Sequence, residues 1–258
     1  MRPACWRSGW PNAMSESSCQ SSRDSVPALI SRPYLYALGG SVLIDSLLRM
    51  QIVGYYISQS YKPDVALNLI RDFLQVSYAL LLVFFLYLLF SKWLPRLRRC
   101  LPISRRLMRL LGIVTSLQLV ANMISVNVTI YRLHIESYEL LVESLSLYIA
   151  INLAFVFWYW YCDYPLRVTL QDISLGSYLP QGILFPEEQI EQRFLKSDNW
   201  IPGPIDYLYF TILSSNCFGS PEGHMLVGNR LKTLQIIHTL FMILVFIVIV
   251  ARAINTLS

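Results

Sequence analysis

An all-α membrane protein is the fold class the sequence predicts, and three observations predict it. The 258-residue chain is 55% hydrophobic and 14% charged, whereas soluble domains carry about 25% charged residues. Four stretches of roughly 20 residues hold no Asp, Glu, Lys or Arg, the length a helix needs to cross a hydrocarbon core about 30 Å thick. Aromatic residues reach 13%, a supply suited to anchoring helices at membrane interfaces. About five transmembrane helices and one short re-entrant helix are expected.

The first 33 residues are rich in Ser, Pro, Arg and Cys and lack the apolar core of a signal peptide. They are expected to form a disordered cytoplasmic tail, with Met14 as the natural start. A four-helix transmembrane bundle is expected over 34–162. Its first stretch, Tyr34 to Ile57, holds Asp45 and Arg49. Their spacing of four puts them on one helix face, where they can neutralise each other inside a bundle, with an interfacial helix as the alternative to a span. Phe73 to Phe90, Leu110 to Tyr131 and Ser144 to Cys162 follow as further spans.

Lys92, Arg96, Arg98, Arg99, Arg105, Arg106 and Arg109 cluster between two of these stretches. The net charge of +5 is therefore read as a juxtamembrane loop on the cytoplasmic side, not as a nucleic-acid surface. Leu110 to Tyr131 then runs outward, Arg132 to Glu139 is an external loop, and Ser144 to Cys162 returns. Trp158, Tyr159, Trp160 and Tyr161 are expected as an aromatic belt at the inner interface. Residues 163–204 form a polar segment with several prolines, read as an ordered surface excursion. Within it, Pro186 to Leu195 suits a short helix, with proline and acids in its first turn.

The last unit, 205–258, carries the functional expectation. Ile205 to Asn216 is apolar but only about a dozen residues long, below the roughly 17 needed to cross. It ends in the polar turn Cys217 to Gly223, and Thr233 to Ala251 forms the last long helix. A half-helix that enters and leaves by one face satisfies these lengths. Non-helical backbone at that depth is tolerated only where protein or water surrounds it, so the turn is the candidate site.

This unit resembles the pore module of potassium channels. Asp206, Tyr209, Phe210 and Thr211 correspond to the pore helix, the glycine-bearing turn to the filter, and the last helix to the pore lining. The resemblance implies Cys217, Phe218, Gly219 and Ser220 as filter residues, an assembly of several copies and a monovalent cation as the permeant species. Against the family's Thr-Val-Gly-Tyr-Gly, only Gly219 keeps its residue, and Pro221 stands at the second glycine, where a fixed φ near −65° cannot copy the left-handed geometry. The chain also resembles a bacterial family of integral membrane proteins of unknown function, through Asp206, Tyr209, Phe210, Arg230, Lys232 and His238. That resemblance implies a bacterial inner membrane. With the basic cluster inside, the turn enters from the cytoplasm, opposite to potassium channels but as in ionotropic glutamate receptors.

Polar stripes cross the spans. Gln118, Asn122, Ser125 and Thr129 share one face of the third, and Ser144, Tyr148 and Asn152 share one face of the fourth. Interhelical hydrogen bonding accounts for them, and His238 among apolar neighbours reads as a satisfied polar group. Neither catalysis nor a cofactor is expected. His134, His224 and His238 show no metal-ligand spacing, the five cysteines are scattered, and no glycine-rich phosphate cradle is present. A non-conducting scaffold or accessory subunit, or a small-solute carrier, is the alternative to a channel.

Overall fold

The computed structural model describes residues 31–45, 76, 78–79, 81–86, 105–132, 137–171, 182–189 and 201–257. Helix α1 covers 31–45, and helical residues within 76–86 form α2. They are followed by α3 (Arg105–Arg132), α4 (Ser137–Gln171), strand β1 (Gly182–Leu184), α5 (Pro186–Gln189), α6 (Pro204–Cys217), strand β2 (Met225–Val227) and α7 (Asn229–Leu257). The described residues are mostly helical, and three of the helices are long and apolar enough to cross a membrane: Arg105–Ile124, Val142–Pro165 and Asn229–Val250. The first two expected spans are described only in part, so a count of five is not reached. The tail before residue 31, Arg49 and the basic residues before Arg105 lie outside the described residues.

Helix α4 is the axis of the bundle. Its residues Ala150, Ile151, Ala154, Phe157, Tyr159 and Trp160 are buried, and α3, α6, α7 and β1 all pack on it. Tyr34 of α1 stacks on Trp160 with centroids 4.3 Å apart and meets Tyr207 of α6 edge-on. Gly112 lets α3 approach: a methyl there would meet the rings of Phe157 and Trp158 at 2.6 and 2.9 Å. The Trp158 indole N–H then donates to Ser116 Oγ across the same interface.

Several local expectations are corrected. Helix α1 already includes residues 31–33, ahead of the expected start at Tyr34. Arg105, Arg106 and Arg109 belong to the first turns of α3 and not to a loop, arginine being a good helix former. Glu139 lies inside α4, which starts at Ser137 and continues past Cys162 to Gln171. The polar segment thus begins as helix, despite Pro165 within it. Tyr159 and Trp160 are core residues, since a helix turns four successive aromatics in four directions and only some can face lipid headgroups.

Candidate functional site

Helix α6 starts where the sequence places a half-helix. Gly203 precedes it, Pro204 occupies its first turn, and Asp206 accepts from the Gly203 N–H at 2.6 Å, a one-sided cap that also sets a negative charge at the positive end of the dipole. Fourteen residues at 1.5 Å each give a rod of about 21 Å. It ends at Phe218, a non-glycine residue in the left-handed region at φ 51°.

Contacts along α4 fix its direction. Tyr207 donates to Asp163 Oδ2, Ser215 bonds Asn152, and Tyr148 donates to Asn216, so α6 runs antiparallel to α4 from Asp163 down to the level of Tyr148. Helix α7 runs the same way: Tyr159 meets Gln235 and His238, and Asn152 meets Met242. Between them the chain returns. His224 lies against Phe185, Phe210 and Tyr209, and β2 pairs antiparallel with β1, with Leu226 opposite Ile183.

Asp163 joins both ends of this hairpin. One oxygen takes the Tyr207 hydroxyl at the entry of α6, and the other takes the Ile183 N–H at 2.7 Å, holding the strand on which the return is clamped. Asp163 is fully buried, and both donors reach it because Gly182, at φ 145°, presents no side chain. A methyl there would overlap Asp163 Oδ1. The entry of α6 and the exit of the return are therefore at one level of the bundle.

A second polar layer lies a turn deeper. His238 has no exposed surface and stacks on Phe155 at 4.1 Å. Its Nδ1 is 3.2 Å from the Tyr159 hydroxyl and its Nε2 is 3.1 Å from Ser215 Oγ. Tyr159 is 2.6 Å from the Gln235 carboxamide, and Ser215 is 2.6 Å from Asn152 Oδ1. Asn152 in turn donates through Nδ2 to the Tyr148 carbonyl at 2.9 Å.

Proton bookkeeping selects one arrangement of a neutral ring. Asn152 Nδ2 is committed to a carbonyl, so its Oδ1 at 2.6 Å takes the single Ser215 hydrogen in preference to the Thr211 carbonyl at 3.0 Å. Ser215 Oγ must then accept from His238 Nε2–H, leaving Nδ1 bare to accept from the Tyr159 O–H. Turning the Gln235 carboxamide lets its N–H donate to Tyr159, at the cost of placing Oε1 where Nε2 had no partner among the described residues. Carboxamides end the chain on both sides, and they pass no protons, so the layer works as a lock between α4, α6 and α7.

The predicted residues divide between interior and surface. Thr211 and Phe210 are buried, and Thr211 donates to the Tyr207 carbonyl. Tyr209 is 57% exposed. Cys217, Phe218 and Ser220 are exposed and Gly219 is half-buried, with Phe218 edge-on to Phe246 of α7 at 6.1 Å. Asn152 and His238 come together through Ser215. Gln118 and Asn122 are buried on α3, and neither Gln118 amide atom has a partner among the described residues. The side chains of Ser125 and Thr129 lie outside the described residues. Among the described residues no three His, Cys, Asp or Glu side chains gather for a metal.

Sequence reasoning missed Asp163, Tyr207, Ser215, Tyr159 and Gln235. The Gln235 to His238 interval of three was a legible signal for two polar groups on one helix face. Comparisons with protein families, curated proteins and solved structures found no match to this chain.

Proposed function

We propose that the protein is a membrane-embedded, ion-channel-like protein, in which α6 is a re-entrant half-helix, Cys217 to Ser220 the constriction and α7 the lining helix. One observation carries the reading: Asp163 takes the Tyr207 hydroxyl at the entry of α6 and also holds β1, on which the return strand β2 is paired, while α6, at about 21 Å, is shorter than a hydrocarbon core. Three helices suited to crossing, around a hairpin that returns to its own level, are what supports reading α6, the turn and α7 as half-helix, constriction and lining helix. The exposed turn cannot encircle an ion alone, so several copies are required, and a monovalent cation is the proposed permeant species. A bacterial inner membrane is the proposed location.

The test is flux. Purified protein in vesicles is expected to release a monovalent cation above the protein-free rate, and Gly219→Pro to abolish that release. Vesicles no leakier than controls, with Gly219→Pro equal to the wild type, would remove the proposal.

A second reading, a non-conducting scaffold or accessory subunit, is favoured by the side on which α6 is polar. Thr211, Ser214 and Ser215 are all buried, and Ser215 bonds Asn152 of α4 and His238 of α7 in the same chain, besides the Thr211 carbonyl of its own helix. On that reading the lock serves only the bundle, and the protein purifies without self-association.

A further inference from the structure

We infer that Arg105 and Arg230 hold the phosphodiester headgroup of an anionic phospholipid beside Cys162. Arg105 opens α3, and its guanidinium lies 5.4 Å from the Tyr161 ring centre. Arg230 is in the first turn of α7. Since α7 runs antiparallel to α4 with Gln235 at Tyr159, Arg230 falls beside the next turn of α4, at Cys162. The charges of both guanidinium groups act on the Cys162 thiol, which is free and half-buried. Two cations distant in sequence thus lie at one level of α4.

The position suits a lipid better than a soluble anion. The three helices able to cross a membrane have ends at this level, at Arg105, Pro165 and Asn229, and an interface drawn through them is where phosphodiesters lie. Neither guanidinium has an ion-pair partner among the described residues. The nearby acids are engaged elsewhere: Asp163 with Ile183 and Tyr207, Asp206 with Gly203 and Glu188 with the Phe185 N–H. Unpaired arginines, together with the positive ends of α3 and α7, favour a phosphate at this interface. The inference needs the membrane placement of these helices but not conduction, so a failed flux measurement leaves it standing.

The full chain in a neutral detergent tests it with dioctanoyl phosphatidylglycerol, dioctanoyl phosphatidylcholine and inorganic phosphate as probes. The wild type is expected to bind the phosphatidylglycerol selectively, and the Arg105→Ala/Arg230→Ala variant to bind it about thirtyfold more weakly. Alkylation of Cys162, read from its own peptide by mass spectrometry, is expected to slow in the wild type when phosphatidylglycerol is added. Circular dichroism checks the variant's fold. If it loses helix, Arg105→Gln and Arg230→Gln replace it singly, each expected to weaken binding about fivefold. Equal binding of phosphatidylcholine, unchanged affinity in folded variants, no protection of Cys162, or equal protection by inorganic phosphate would overturn the inference.

Discussion

Replacing Asp163 with leucine strikes the residue on which both ends of the α6 hairpin depend. The side chain is fully buried, and its two oxygens take the Ile183 N–H and the Tyr207 O–H. Leucine accepts neither and is the bulkier side chain, so overpacking adds to the two stranded buried donors, which cost about 1–3 kcal/mol each. A loss of about 2–6 kcal/mol is expected, which lowers the unfolding midpoint by at least roughly 4 °C for a chain of this size. The assay is thermal unfolding of the purified protein in detergent, followed by circular dichroism. Tyr207→Phe removes one of the two donors and is expected to cost about 1–3 kcal/mol. The pair supplies its own control: adding Tyr207→Phe to Asp163→Leu should cost far less than Tyr207→Phe alone, because the hydroxyl has already lost its acceptor. An Asp163→Leu protein that unfolds with the wild type, or strictly additive costs, would refute the staple.

The lock around His238 gives a spectroscopic expectation: nitrogen NMR of the protein should show the ring hydrogen on Nε2, and a hydrogen on Nδ1 would show that Ser215 donates to the ring instead. Ser215→Ala should destabilise by about 1–3 kcal/mol by stranding Asn152 Oδ1 and the ring N–H, read as a lower thermal midpoint; no change would mean that the layer is already hydrated. Gly182→Ala, with φ 145° and Asp163 in the way, should cost more than Gly228→Ala, where φ is 110° but nothing lies within 4 Å. Backbone strain alone is worth about 1–3 kcal/mol, so equal midpoints for the two variants would show that Asp163 yields freely.

Hydropathy and length alone placed the rods with long apolar runs. The expected half-helix, Ile205 to Asn216, differs by one residue at each end from α6, because Gly203, Pro204 and Asp206 spell its start and the polar turn spells its stop. The extension of α4 through Asp163 and Pro165 was not legible. An acid and a proline after an apolar run read as an exit from helix, and partners distant in sequence, Tyr207 and Ile183 among them, make burial of the acid tolerable. The same holds for Ser215, an ordinary residue until α7 brings His238 beside it. Short strands of three residues carry too little alternation to be seen, yet they hold the return. The turn residues Cys217 to Ser220 were legible as a break in helix, while their exposure on the surface of the chain depends on packing that no local pattern encodes.

Sidedness labelling tests the central claim most directly. Single cysteines placed at Ile205, Asn229 and Ser258 in a cysteine-free background, reacted in oriented vesicles with a membrane-impermeant maleimide, report which face each position occupies. Ile205 and Asn229 are expected to react from one face and Ser258 from the other. Labelling of Ile205 and Asn229 from opposite faces would make α6 part of an ordinary crossing and contradict the hairpin.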